Sequence, residues 1–250
     1  MNKVIWIIGG SSGIGYELCQ LYLKHGYKVI VSSRNARETP LLEKLFNLYK
    51  SDITLIDIDV EDMNSVNEAT QKAWNAYGYI TCCIYNAGVY ESMRAAQWKM
   101  EHFEQMMQIN YLGAVRVTNA LRPFFMDKKS GHFVFNASIS SYFGLPYGGG
   151  YSAPKAALVN FCESIKPELE EKNIRIQVIN HGFVKTRLTD KNNFTMPGLL
   201  ESTEAAQIIF DRLHYFRGFE IKFPFGFTTF LHFLRVIPYK LAFYFTKKAL

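Results

Sequence analysis

The chain has 250 residues, 48% of them hydrophobic and 20% charged, with a formal net charge of +6. That composition excludes a disordered or low-complexity protein and supplies enough chain for a large core. The charge is uneven: beyond Glu220 there is no Asp or Glu, yet Lys222, Arg235, Lys240, Lys247 and Lys248 follow. No zinc-ligand spacing, basic zipper or aromatic RNA-binding motif accompanies it, so neither a metal nor nucleic acid is an expected partner. Cys19, Cys82, Cys83 and Cys162 form no Cys-x-x-Cys pair. Buried, reduced thiols are expected, which fits a reducing, cytoplasmic setting.

The opening Met1-Asn2-Lys3-Val4-Ile5-Trp6-Ile7-Ile8 is too short for a signal segment and runs into glycines. Residues 4–8 read as a strand buried on both faces. Gly9-Gly10-Ser11-Ser12-Gly13-Ile14-Gly15 turns that strand into a helix, which Gly26 ends. Strands are predicted at 28–33, 53–58, 80–85, 132–136, 174–179 and 219–223. Helices are predicted at 41–50, 62–76, 98–108, 111–127, 151–172 and 203–216. This alternation predicts an α/β doubly wound Rossmann fold, a seven-stranded parallel sheet with helices on both faces. No internal repeat or linker marks a second domain, so 1–224 reads as one domain. Within it, 182–202 lacks a period and reads as a functional or mobile loop.

The segment 225–250 reads as a helical extension. Phe227, Phe230, Leu231 and Leu234 recur at helical spacing, while His232, Arg235 and Tyr239 fall on another face. Pro238 breaks the pattern, and Leu241, Tyr244 and Phe245 begin a second stripe. No apolar run reaches the ~20 residues that span a bilayer. Three seats remain open for this basic, aromatic tail: a membrane interface, another subunit, or its own domain.

Several motifs carry chemistry. A glycine loop after the first strand lets the backbone approach a pyrophosphate at a helix N-terminus. The second strand ends in Ser33-Arg34, where an NAD site usually carries an acid; Arg34 could instead pair with a 2′-phosphate, favouring NADP(H) over NAD(H). Asp59-Val60 could meet the adenine amino group, although Asp57 or Asp59 could cap the next helix instead. Asn86-Ala87-Gly88 ends the fourth strand, its asparagine able to tie strands together and its small pair leaving room for a cofactor. Tyr151-Ser152-Ala153-Pro154-Lys155 puts a phenol and an ammonium on one helix face. A nearby cation favours the phenolate and would lower the phenol's pKa toward working pH. Pro154 suggests that this pair lies in the first helical turn.

In this order the motifs resemble the short-chain dehydrogenase/reductase family, in its single-domain branch. The resemblance rests on Gly9, Gly13 and Gly15; Asp59-Val60; Asn86-Ala87-Gly88; Asn110-Tyr111-Leu112-Gly113; Ser138; Tyr151 with Lys155; and Asn180-His181-Gly182 with Thr186. It implies Tyr151 as acid/base, with Lys155 lowering its pKa and bonding the nicotinamide ribose. It implies Ser138 bonding the substrate oxygen and Asn110 holding, through its carbonyl, a water that serves Lys155. Thr186, with the nearby Gly182 and Val184, would hold the carboxamide. Ser11, Ser12, Ile14 and Ser33 complete the implied cofactor site. Four positions depart from the family pattern: Ile8, Ala137, His181 and Pro154 stand where it usually has other residues.

The segments expected around the substrate are apolar: Phe183, Leu188, Phe194, Met196, Pro197, Leu199 and Leu200 in the loop; Tyr142, Phe143, Leu145 and Tyr147; Tyr90 and Met93. They predict a hydrophobic carbonyl or alcohol substrate. The expected activity is NADP(H)-dependent interconversion of the two. Alternatives are a non-catalytic dinucleotide-binding sensor or scaffold, and a sugar-nucleotide epimerase or dehydratase. The latter usually spaces its glycines Gly-x-x-Gly-x-x-Gly, which this chain does not. The family habit of pairing long helices makes a homo-oligomer through 111–127 and 151–172 an expectation.

Overall fold

The computed structural model describes residues 3–192 and 194–248; Met1, Asn2, Asn193, Ala249 and Leu250 of the segments above lie outside the described residues. The order along the chain is β1 (Val4–Ile8), α1 (Gly13–Lys24), β2 (Lys28–Ser33), α2 (Pro40–Leu48), β3 (Ile53–Asp57), α3 (Met63–Tyr77) and β4 (Cys82–Tyr85). It continues with α4 (Met100–Met107), α5 (Gly113–Lys128), β5 (Gly131–Asn136), α6 (Gly149–Glu170), β6 (Ile174–His181), α7 (Ser202–Tyr215), β7 (Glu220–Phe223), α8 (Phe225–Val236) and α9 (Tyr239–Lys247).

The seven strands form one parallel sheet in the order β3-β2-β1-β4-β5-β6-β7. Burial on both faces explains the unbroken apolar runs. In β1, Val4, Trp6 and Ile8 point to a core shared with α3, α5 and α6; Ile5 and Ile7 point to one shared with α1, α2 and α7. The sheet is therefore doubly wound. Its order reverses between β1 and β4, and the crevice at their carboxyl ends is where such sheets bind ligands.

Element boundaries shift where local chemistry intervenes. The helix expected at 111–127 is preceded by a π-helical turn, Gln108–Leu112, that joins α4 to α5. Gly113 follows it, packed so closely that a Cβ would strike the Tyr85 hydroxyl and Val60. β6 runs two residues further than expected, which makes His181 a strand-end residue. α6 starts at Gly149, not at Tyr151, and so Pro154 lies inside the helix beyond its first turn. The reason is at its N-terminus: the Gly148 carbonyl accepts from both Tyr151 N (3.0 Å) and Ser152 N (2.7 Å), closing the first turn early.

The segment 182–202 carries little regular structure. It holds a 3-10 turn, Thr189–Lys191, and a single parallel bridge between Val184 and Leu200. Pro238 divides the tail into two helices. Leu231, Leu234 and Ala242 pack with Ile139 and Tyr142, so the tail is seated on its own domain. The second stripe differs from expectation: Ala242 is the buried residue of α9, while Leu241 and Tyr244 are open and Phe245 is only partly covered, against Phe230. His232, expected on a face other than the apolar stripe, lies against Tyr142 with ring centroids 3.9 Å apart.

Candidate active site

The glycine loop is shaped by its backbone. Gly9 N and Gly10 N both donate to the Ser32 carbonyl, at 2.7 and 3.4 Å, which pins the loop to β2. Gly9 has φ 84°, and a Cβ there would come within 2.6 Å of Ala87 N. Gly15 abuts the Gly9 carbonyl and lets α1 lie against the loop. Ser12 caps α1 without a side-chain bond to its backbone, and no acid occupies the first turn. Unpaired N–H groups and the helix dipole therefore face the crevice, the requirements for holding an anion. Arg187 Nη2 donates to Ser12 Oγ at 2.9 Å and adds positive charge to the same edge.

The strand ends continue this wall. Ser33 Oγ is buried and has no hydrogen-bond partner among the described residues, while Arg34 beside it is exposed. Asp57 accepts from Ala36 N (2.7 Å) and shapes the turn after β2. Asp59 accepts from Glu61 N (3.0 Å), and Asp62, not Asp57 or Asp59, caps α3. Asn86 Nδ2 donates to the Gly9 carbonyl (2.8 Å), and Asn86 Oδ1 accepts from Asn136 Nδ2 (2.7 Å). That chain fastens the glycine loop, β4 and β5 together.

The polar cluster lies beyond Gly88. Asn110 sits on the π turn with no solvent exposure; its Oδ1 accepts from Val89 N (2.8 Å) and its Nδ2 donates to the Val89 carbonyl (2.9 Å). Its side chain therefore braces the loop after β4. Ser138 hydrogen-bonds to Tyr151, a bond that pulls the phenol's pKa down. Burial is the stronger effect and pushes Tyr151 up to about 12. Lys155, at 5.6 Å from the centre of the Tyr151 ring, donates its ammonium to the Asn136 carbonyl at 2.7 Å. Burial lowers Lys155 from 10.5 to about 7. The expected depression of the phenol by this cation is thus not seen: loss of water around the ring dominates, and the ammonium is turned toward Asn136.

Three further groups frame the cluster. Tyr90 meets Tyr151 edge-on at 5.0 Å and donates to Asn192 Oδ1 at 3.0 Å, linking the 182–202 loop to the centre. His181 Nδ1 lies 2.7 Å from the Gly182 carbonyl, and burial holds its ring neutral, at about 4. Asn180 Oδ1 accepts from Ser138 N (3.1 Å), and Asn180 Nδ2 donates to Glu220 Oε1 (2.6 Å), which also accepts from the Tyr142 hydroxyl. Among the described residues no group of three or more His, Cys, Asp or Glu side chains could hold a metal.

These walls enclose a cleft of about 740 Å³. Gly9, Ser11, Ser12, Gly13, Ile14, Ser33, Arg34, Asp59, Val60, Asn86, Ala87, Gly88, Ser138, Tyr151, Lys155, Gly182, Val184 and Thr186 all line it; Gly15 and Asn110 stand behind its wall. Of the apolar residues expected there, Tyr90, Leu145, Tyr147, Phe183, Leu188, Phe194 and Pro197 line the cleft. Met93, Tyr142, Phe143, Met196, Leu199 and Leu200 do not. Tyr142, for example, is held by Glu220 and His232.

Sequence reasoning missed Asn136, the Asn180–Glu220–Tyr142 chain, Arg187, and the contribution of the tail through Phe227, Phe230, Phe245 and Thr246. Asn136 had a signal, since it is a polar residue ending an apolar strand, as Asn86 is. The others depend on tertiary contacts between distant segments.

An open parallel sheet with a glycine loop at its reversal point, and a Ser–Tyr–Lys cluster across the crevice, defines the oxidoreductase class of doubly wound proteins. The family model for short chain dehydrogenase matches residues 3–196. The chain belongs to the short-chain dehydrogenase family. It is 30% identical over 194 residues to a "Dehydrogenase/reductase SDR family protein 7-like" of Drosophila melanogaster, covering 75% of this chain and 59% of the fly protein. An "Uncharacterized oxidoreductase" of Myxococcus xanthus is 29% identical over 203 residues, covering 81% of this chain and 80% of that one. The chain thus spans about three fifths of the fly relative's length. Among solved structures, ElxO with NADP bound superimposes with a TM-score of 0.82 at 25% identity, covering 92% of this chain and 100% of ElxO. An alcohol dehydrogenase from the archaeon Thermococcus sibiricus shares the fold, with a TM-score of 0.80 at 24% identity over 89% of this chain and 96% of that one.

Proposed function

We propose that this protein is an NADP(H)-dependent oxidoreductase that interconverts a carbonyl and an alcohol on a small hydrophobic substrate. The observation that carries the reading is the hydrogen-bonded Ser138–Tyr151 pair, with Lys155 behind it, in a cleft whose far wall is the glycine loop. The residues present fit a dinucleotide. The glycine loop and the open α1 terminus suit a pyrophosphate, the unpartnered Ser33 Oγ and Arg34 suit a phosphorylated ribose, and Lys155 suits the second ribose. When bound, the nicotinamide supplies the hydride chemistry.

The chain's own groups do the rest. Ser138 donates to the substrate oxygen and fixes its position. Tyr151 gives that oxygen its proton in the reducing direction; with a pKa of about 12 the phenol is protonated at neutral pH, the form this step requires. Thr186 stands by the glycine loop, its methyl 2.9 Å from where a Gly13 Cβ would lie, and with Gly182 and Val184 it positions the reacting end. Phe183, Phe194, Phe227 and Leu145 exclude water and favour a lipophilic ligand. A homo-oligomer through α5 and α6 is part of this reading, as the family resemblance implies. A cytoplasmic setting is supported by four free, buried cysteines.

The test is NADPH oxidation against a panel of lipophilic ketones and aldehydes. Tyr151→Phe should lower kcat by roughly 10²–10⁴-fold, the usual worth of a positioned proton donor, while leaving NADPH affinity within a few-fold. Unchanged kcat in the variant would remove Tyr151 from the assigned role. NADPH binding without turnover of any panel member would favour the sensor or scaffold reading.

A further inference from the structure

Helix α8 carries large apolar side chains on its outer side as well as on the side that packs on the domain. Phe227, Leu231 and Leu234 face the domain, while Phe225, Phe230, Phe233 and Val236 face outward, with 83%, 40%, 49% and 80% of their surface exposed. A soluble helix normally turns polar residues outward, so exposed phenylalanines on its outer side call for a partner. Helix α9 is more exposed still: Tyr239, Leu241, Phe243 and Tyr244 are open, and Ala242 is its one buried residue. This outer face is far larger than scattered surface residues would make, and such faces mark interaction sites.

Its charge says what covers it. Arg235, Lys240, Lys247 and Lys248 are exposed around the aromatic face, and no acid follows Glu220 in the sequence. Lys248 Nζ lies 4.6 Å from the centre of the Tyr244 ring. Glu220, the last acid in the sequence, is already engaged: its Oε1 accepts from Tyr142 and Asn180, and its Oε2 lies 3.7 Å from Lys222 Nζ. A second copy meeting this face by two-fold symmetry would oppose the same cations to themselves with no acid in the segment. An anionic lipid surface meets both requirements, because headgroups complement the cations and the interface accepts aromatic rings.

The face is also continuous with the cleft mouth. Phe230 and Phe245, with ring centroids 6.3 Å apart, are partly exposed and line the cleft. Across the mouth, exposed Phe194 contacts Phe183, which stacks on Phe227, each pair 5.9 Å apart. No helix among the described residues is long and apolar enough to cross a membrane. Two short helices broken at Pro238 are suited to lying in the interface.

We propose that α8 and α9 dock the protein on an anionic lipid bilayer, with the cleft mouth facing the membrane. A substrate route from bilayer to cleft rests on the lipophilic reading given above; the docking does not.

The experiment sediments the full chain with vesicles of phosphatidylcholine, with and without phosphatidylglycerol. No substrate is needed, so its outcome is separate from that of the turnover assay. The chain should pellet with the anionic vesicles and be released by high salt. Phe233→Ser, Val236→Ser and Tyr239→Ser together, at positions outside the cleft, should cut partitioning by roughly tenfold or more with the thermal melt retained. Lys240→Glu, Lys247→Glu and Lys248→Glu together should abolish the preference for anionic vesicles, an independent check should the serine variant misfold. Equal partitioning of wild type and both variants, or no sedimentation of the wild type, overturns the proposal. A concentration-dependent dimer that the serine variant dissolves, with no vesicle binding, assigns the face to a second copy and also overturns it.

Discussion

The two walls of the cleft are built on opposite principles. The wall around Gly9, Gly13 and Asn86 comes from adjacent strand ends, and its contacts run through the main chain. An added methyl at Gly9 or Gly15 meets backbone, which cannot move aside. The mouth around Phe183, Phe194, Phe230 and Phe245 comes from segments far apart in sequence and is closed by side chains alone. The first wall is held by main-chain contacts. The second is set by side-chain rotamers, which can change. A fold can therefore keep its cofactor chemistry fixed while its substrate changes.

Substitutions at the seam and on each wall test that contrast. Lys155 lies between the walls and gives the largest effect. Its folded pKa is lowered from 10.5 to about 7, so the unfolded chain binds more protons between those values. Stability then rises with pH from about 7 to 10.5, with an upper limit of about 5 kcal/mol, and the penalty is complete once pH has fallen through the folded value. Lys155→Met should flatten that rise in urea midpoints measured across the window. An unchanged slope would move the titration to another group.

On the glycine wall, Gly9→Ala should cost about 2–3 kcal/mol, a Tm drop on the order of 5–10 °C, and weaken dinucleotide binding with it. Normal melting with normal binding would show that this wall yields more than its geometry implies. At the rim of the same wall, Arg34→Asp should weaken NADPH about tenfold and leave NADH little changed, as titrated by nucleotide fluorescence. Equal losses for both nucleotides would deny Arg34 the 2′-phosphate. At the mouth, Phe230→Ala with Phe245→Ala should raise KM for a lipophilic substrate roughly threefold without altering nucleotide affinity, since both rings are already half in water. Coupled changes in both constants would break the separation of the walls.

The same contrast explains what was legible in the sequence. Strand periodicity and glycine spacing are local, and they located every strand, the order of the helices and the glycine loop. Tyr151 and Lys155 were found by spacing and Ser138 by the family resemblance, and all three line one cleft. What they do to one another was not legible. The ionisation of Tyr151 depends on burial and on the direction of the Lys155 ammonium, which Asn136 sets across a gap of nineteen residues. Pro154 suggested a first-turn position because proline is common there, but the glycines before it start the helix earlier. Asn180 entered only as part of the run Asn180-His181-Gly182, and its partner Glu220 arrives only when β7 pairs with β6.

The chain from Ser138 through Asn180 and Glu220 to Tyr142 has a practical consequence. Tyr142 rests against His232 of α8, so the platform under Ser138 is buttressed by the tail. Shortening the protein before α8 would strip one side of that buttress and disturb the reaction centre from a distance. The proposed lipid contact at the tail would, by the same linkage, be mechanically continuous with Ser138.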